Sequence, residues 1–488
     1  MAGKKRQKVL EKVAQGAHPE HSYDKRALEP YYWWAVLTLI LAASVARFIA
    51  LEQSPPGFYV DEAAGAANIM SMSRTATSAD GTRWPLFANA LAGGYTTPVY
   101  LYFGALWVKV FGTSVASFRA IAAFFSVLTI GGIYLIARSL YGHRAGLLAA
   151  LVAALSPWCF QFSRIAWDPP LAPCFLVWGL YFFVRSSKIA DSIVSAVLMT
   201  VSMYSYPPLR AQVPLLVPAL LWLRWKYLDP GRIALGTFCV SGILAAYPLL
   251  VRTLSGEIQG RYRDLSIFNP QFLNYVGSHS ALSIAGIFWR NLQAHLSPAF
   301  LLVSGDVNLR HSSQFCGEMG WLDVFALGSG LALVIVSWLQ SRDHPKVPGK
   351  APLLPVLLVW LWGFVAGLIP AALTWEGLPH ALRSIGAWPF LSLFCALVLW
   401  CVVARWRNIA VVAFFVGFVF AVSYSIDYFT RFPIAAARFF DASVTERARE
   451  ARRTGNWQEF EALKGKYPDM ALEFFRLCYG EIPPKNSR

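Results

Sequence analysis

Residues 57–66 read GFYVDEAAGA and place two carboxylates side by side, Asp61 and Glu62, shortly after an apolar run. Such a pair can cap a helix beginning at Glu62, with both charges suiting its positive end. A carboxylate oriented that way can also take a proton as a general base, and the two roles are compatible. A further acid, Asp168, lies in FSRIAWDPPLAP (162–173), with Arg164 one helical turn before it. Asp-Pro-Pro builds a turn, but an ionisable residue at the mouth of a membrane bundle is also a functional candidate. In YSYPPLRAQ (204–212), Arg210 follows a Pro-Pro break. It can snorkel to a lipid phosphate or bind a substrate phosphate. SGDVNLRHSSQFCGEMGWLD (304–323) concentrates Asp306, Arg310, His311 and Glu318. TWEGLPHALRSIG (374–386) carries Glu376, His380 and Arg383, either as an interfacial cap anchored by Trp375 or as site residues. Acids supply a general base and arginines stabilise an anionic leaving group. Together they suit transfer from a phosphate-linked donor whose apolar part lies in a bilayer.

The elements that must position these residues are membrane helices. The chain has 488 residues, 56% hydrophobic and only 14% charged, against about 25% charged in soluble domains. The net charge of +16 reflects loops held on the cytoplasmic side, and no basic module with stacking aromatics favours nucleic acid. Seven scattered cysteines show no zinc spacing. Two acids and nearby histidines are compatible with a divalent cation, though no spacing demands one, and no metal ligands are assigned.

Apolar runs predict spans at 31–51, 117–138, 145–162, 170–185, 190–206, 211–225, 233–251, 321–340, 352–373, 384–404 and 409–426. One set of loops is short and basic: Arg138/His143/Arg144, Arg185/Lys188, Arg224/Lys226/Arg232, Arg342/Lys346/Lys350 and Arg405/Arg407. These belong inside. The opposite set holds 52–96, the turns at 168 and 207–210, 252–320, 374–383 and the C-terminal tail. The expectation is an all-α integral membrane protein with about eleven crossings. Residues 97–111 are a re-entrant or juxtamembrane helix, or part of a longer, bent second span. Residues 1–30 form a basic cytoplasmic tail, 31–426 the membrane domain, and 427–488 a short helical tail outside. The outer loop 52–96 and the outer segment 252–320 line the site.

At these residues the chain resembles a known family. Asp61-Glu62 after span one, 141–172, GDVNLRHS within 305–313 and EGLPHALRSIG (376–386) are similar to bacterial members of the protein O-mannosyltransferase and aminoarabinose-transferase group. Those are membrane glycosyltransferases of GT-C fold. The resemblance implies a polyprenyl-phosphate-linked sugar donor, a reaction on the periplasmic face of a bacterial inner membrane, and an acid of the first outer loop as general base. By position that acid is Asp61, with Glu62 beside it, and Asp168 matches a second acidic position near the active site. The aminoarabinose branch carries a lysine before a proline that contacts the lipid phosphate; here the pair is Thr97-Pro98. Arg210, Arg310 and Arg383 are then the candidates for the donor phosphate, and Arg164, His311, Glu376 and His380 for substrate contacts. The acceptor is a lipid, glycan or protein hydroxyl. A lipid flippase or transporter, or a glycan ligase, is the alternative; the absence of an internal repeat and the clustering of charge at one face weigh against a transporter.

Overall fold

The computed structural model describes residues 30–185, 188–229, 231–277, 279–339 and 351–480. The expected N-terminal tail, the Arg342/Lys346/Lys350 loop and the last residues of the C-terminal tail lie outside them. The chain is all-α apart from a two-residue antiparallel pairing of Ala88–Asn89 with Tyr95–Thr96. In chain order the helices are α1 (Pro30–Ala46), α2 (Val60–Thr75), α3 (Pro98–Phe111), α4 (Val115–Tyr141), α5 (His143–Ala154), α6 (Pro157–Phe162), α7 (Leu171–Arg185), α8 (Ile189–Ser205) and α9 (Leu209–Tyr227). They continue as α10 (Arg232–Leu254), α11 (Gly260–Leu265), α12 (Pro270–Val276), α13 (Ala281–His295), α14 (Trp321–Leu339), α15 (Leu353–Ala372), α16 (Trp388–Arg405) and α17 (Ile409–Ala436). The C-terminal part adds α18 (Ala442–Thr454), α19 (Gln458–Glu461) and α20 (Asp469–Phe475).

Among the described residues, five segments are long and apolar enough to cross a membrane: Val115–Tyr141, Arg232–Leu254, Leu353–Ala372, Ile385–Arg405 and Ile409–Ala436. Shorter apolar helices occupy Tyr31–Ala46, Pro98–Phe111, His143–Ala154, Leu171–Arg185, Ile189–Ser205 and Trp321–Val336. The small-residue run of α5 is buried from Ala145 to Ala154, which places it at the centre of the bundle. By contrast α10 leaves Val240, Ile243, Leu244 and Tyr247 exposed, as a lipid-facing helix does. Prolines at 214, 218, 248 and 370 sit inside helices, where neighbouring segments can satisfy the freed carbonyls.

Two boundaries differ from expectation, while a third stretch, 97–111, stands apart as the first of its two readings has it. The run 145–162 is two helices, because the Ser156 hydroxyl caps a new start, accepting from the Cys159 amide with Pro157 at the first helical position. The last apolar run continues to Ala436, past 426. Residues 97–111 form a separate helix, closed by Gly112 (φ +77°) before Ser114 caps α4.

The core divides into two large parts, beside a small cluster of Leu333, Cys401 and Val402. The larger part fills the bundle around α4, α5, α7, α15 and α16, with Leu151, Trp158, Leu176, Trp360 and Phe390 buried. The second joins α2 and α3 to the C-terminal helices through Phe58, Ile69, Leu101, Phe118, Phe460, Leu472 and Phe474. The tail expected as a charge-rich extension is therefore also part of a hydrophobic core.

Candidate active site

The adjacent acids part company because successive residues on a helix point about 100° apart. Glu62 turns inward. Its carboxylate accepts from Arg119 Nε at 2.9 Å and Nη2 at 2.8 Å, from the Ala166 amide at 2.8 Å and from the Tyr59 amide at 3.3 Å. Both partners of the ion pair are fully buried. Arg119 also donates to the carbonyls of Leu51, Pro55 and Gly57. Glu62 thus ties α2, α4 and the 163–170 turn together, and it does not face the cavity, so its assignment as a catalytic acid gives way to a structural one.

Asp61 faces a cavity of about 460 Å³. Every stretch lining this cavity comes from the loops that hydropathy and charge group together opposite the basic set, and from the helix ends beside them: 61–65, 87–100, 166–169, 206–211, 253–265 and 370–383. Asp168, Arg210 and Arg383 line it with Asp61, and so does Arg261 of α11. Burial pushes the Asp61 carboxyl above its ordinary range, while Arg261 and Arg310 pull it back and Tyr59 Oη donates to it at 3.3 Å. Burial raises Asp168 further, to about 7, against the opposing effect of Thr97 beside it. Arg383 is held by Thr374 Oγ1 at 3.0 Å and the Glu376 carbonyl at 2.6 Å, both through Nη1. Arg210 lies over the Phe87 ring at 5.6 Å. Arg310 stacks 5.0 Å over Tyr59, with a buried Nε that has no partner among the described residues, but it does not line the cavity.

Arg164 is corrected. It is fully buried, and its guanidinium donates to the carbonyls of Ala46, Arg47, Ile49, Ala50 and Ser54. Those acceptors lie at the C-terminal end of α1 and in the turns that follow it, where a cation is favoured. Arg164 is therefore an anchor for α1 and not a substrate contact. Glu376 is exposed at the rim, and only its backbone carbonyl serves the site.

His311, His380 and Asp306 are drawn together beside the cavity but do not line it. The two imidazole rings lie 4.5 Å apart, and donor atoms of the three side chains fall within 4.8 Å of one another. The set could hold a metal by distance, and several of its atoms already bond within the protein. Asp306 Oδ2 accepts from His311 Nδ1 and the Ala381 amide, both at 2.9 Å, and Oδ1 from the Asn308 amide at 2.8 Å. The Arg383 amide donates to His380 Nδ1 at 3.3 Å. Burial and the neighbouring His311 and Arg383 hold His380 well below its ordinary pKa. Glu318 accepts from the Asp306 amide at 3.1 Å, and burial lifts its carboxyl well above the usual range. The cluster clasps the 305–318 loop to the 380–383 turn, which places Arg383 in the wall. His311 and His380 thus support the site from behind and do not meet a ligand in the cavity.

Sequence reasoning missed Arg261. Nothing in GRYRDL separates Arg261 from Arg263 until α11 is folded against the 91–93 turn. It also missed Arg119, whose position inside an apolar run gave no sign of its partner.

No curated protein matches the chain. Residues 95–250 match the family described as dolichyl-phosphate-mannose-protein mannosyltransferase. Among solved structures the chain is similar to the Archaeoglobus fulgidus oligosaccharyltransferase in complex with zinc and sulfate (TM-score 0.44, 14% identity, 81% of this chain and 53% of that one). It is also similar to ArnT from Cupriavidus metallidurans bound to undecaprenyl phosphate (TM-score 0.35, 14% identity, 76% and 77%). The chain spans about half the length of the Archaeoglobus protein. Residues 95–250, which include Arg119, Arg164, Asp168 and Arg210, thus match the dolichyl-phosphate-mannose-protein mannosyltransferase family, part of the group that the sequence motifs resemble.

Proposed function

We propose that the protein transfers a sugar from a polyprenyl-phosphate donor to an acceptor hydroxyl, within the cavity that joins Asp61 and Asp168 to Arg210, Arg261 and Arg383. That co-location of two carboxylates and three guanidiniums carries the reading, and the family match over 95–250 supports a lipid-phosphate-linked sugar as the donor class. The acceptor is a lipid, glycan or protein, and the cavity opens to the periplasmic or extracellular side of a bacterial plasma membrane, with the N-terminus cytoplasmic.

The steps balance without a further reagent. Asp61 takes the proton of the acceptor hydroxyl as its oxygen attacks the anomeric carbon. The bond from that carbon to the phosphate oxygen breaks, and polyprenyl phosphate leaves with both electrons. Direct displacement inverts the anomeric centre. The arginines meet the charge that grows on the departing phosphate, where electrostatic stabilisation is most effective. The polyprenyl chain lies along the exposed apolar faces of the bundle. A divalent cation would add charge stabilisation at the phosphate; the Asp306/His311/His380 cluster, which does not line the cavity, is not where such an ion would act.

The test is purified protein in lipid with a labelled polyprenyl-phosphate sugar and a panel of hydroxyl acceptors. Label reaching an acceptor supports transfer. Movement of intact donor across the bilayer without transfer shows a flippase, and joining of preassembled glycans shows a ligase; either result overturns the proposal.

A further inference from the structure

The helix that carries Asp61 is held at its start by the C-terminal part of the chain. Asp441 takes a left-handed conformation (φ +50°), and its Oδ2 accepts from the Val60 amide at 3.1 Å and from Tyr467 Oη at 2.8 Å. Val60 is the first residue of α2, so Asp441 satisfies one of the free amides at that helix end. Four residues further on, within α18, Thr445 Oγ1 accepts from the Phe58 amide at 2.8 Å, so every amide from Phe58 to Val60 has a side-chain acceptor, Glu62 taking the one between. Gly57 has φ +71°, and a Cβ there would fall 2.4 Å from the Phe440 carbonyl oxygen. The two backbones touch without room for a side chain. Behind them Phe474 packs on Phe58 at 4.7 Å and on Phe118 at 5.7 Å.

This grip is applied one residue from the reactive carboxylate. Tyr59, between the two gripped amides, donates its hydroxyl to Asp61 and packs its ring on Phe440 at 5.9 Å. A helix start fixed by two acceptors from another segment cannot rotate without breaking them, and rotation is what would turn Asp61 out of the cavity.

We propose that the segment 437–480 is a positioning device for the site, in which Asp441 is the positioning residue that fixes where Asp61 points. The proposal rests on the reading of Asp61 as the proton acceptor. Asp441 acts through α2 and touches no substrate. It also acts through space. The groups facing Asp61 are Tyr59, Arg261, Arg310, Asp168, Asp441 and Tyr467, and among them the negative charge of Asp441 raises the Asp61 pKa. The tail therefore both aims the base and keeps it basic.

The experiment compares Asp441→Asn, Asp441→Ala and Asp61→Asn in the full chain, by donor KM, kcat and the pH dependence of kcat. Asp441→Asn keeps an acceptor oxygen for Val60 and removes the charge. The expected result is that the acidic limb of its profile moves to lower pH, because the neighbour that helped Asp61 hold its proton is gone. Asp441→Ala also loses the cap, and kcat falls about 10- to 100-fold with donor KM unchanged, as misaimed catalytic groups do. If Asp441→Ala does not yield folded protein, the limb of Asp441→Asn decides. The positioning role is overturned if Asp61→Asn is inactive while the Asp441 variants keep the wild-type limb and kcat, even with a lower melting temperature. If Asp61→Asn keeps full turnover, it is instead the base assignment that falls.

Discussion

At the scale of the residue, neighbouring carboxylates divide the work because a helix turns them apart. Asp61→Asn removes a proton acceptor and leaves every packing contact, so turnover is expected to fall about 10²–10⁴-fold with an unchanged melting temperature. Glu62→Gln does the opposite. It leaves Arg119 buried without a counter-charge, an effect on the order of 3–5 kcal/mol, and the measurement is thermal unfolding in lipid or detergent. Asp168 gives a pH signature. Its folded pKa, about 7, lies above the ordinary carboxyl value of 3.8, so ionisation opposes folding. That penalty is absent below about pH 4, grows as pH rises and is complete above about 7. Wild type is therefore expected to lose melting temperature relative to Asp168→Asn between pH 5 and pH 8, and a flat difference across that range contradicts the assignment.

At the scale of the element, the site depends on helix ends. Arg164 gathers carbonyls from the end of α1 and the turns after it, Glu62 and Asp441 take the amides at the start of α2, and the Asp306–His311–His380 cluster sets the turn before α16. Arg164→Lys keeps the charge but cannot reach five carbonyls with one ammonium. It is expected to lower stability, with activity per folded molecule largely retained, which separates an anchor from a substrate contact. Asp168, Pro207-Pro208 and Thr374 lie where spans end because prolines and capped turns stop helices there, and each stop brings one polar group to the same mouth.

At the scale of the whole molecule, three cationic side chains from α9, α11 and the 374–387 turn surround one cavity. They are far apart in sequence and converge only because the intervening helices cross and return. Arg261→Ala and Arg383→Ala are each expected to weaken donor binding about 10- to 100-fold, the value of a charge-assisted hydrogen bond, measured as donor KM or direct binding. Unchanged binding in both, and in Arg210→Ala, excludes a phosphate at this wall.

Much was open to reading before any tertiary contact was known. Long apolar runs with no water to satisfy their backbone must be helices, so composition alone determined an all-α membrane architecture and confined polar chemistry to the loops between. The two cavity acids and two of its three arginines, Arg210 and Arg383, follow from that confinement, since a charge at a span end is costly unless it has work to do. What the chain order could not decide was direction. Asp61 and Glu62 are equivalent as letters, and so are Arg261 and Arg263; only the packed helix determines which one meets the cavity and which meets a buried partner. Arg164 looked like a ligand contact and is an anchor, because the carbonyls it holds belong to the end of α1 and the turns after it, more than a hundred residues earlier. The C-terminal tail looked peripheral and closes over α2, because Phe460, Leu472 and Phe474 find their apolar partners, Phe58 and Phe118, only when the ends of the chain meet. Hydropathy is a local property and was legible; the aim of a side chain is a long-range one, settled by which buried groups are left needing a partner.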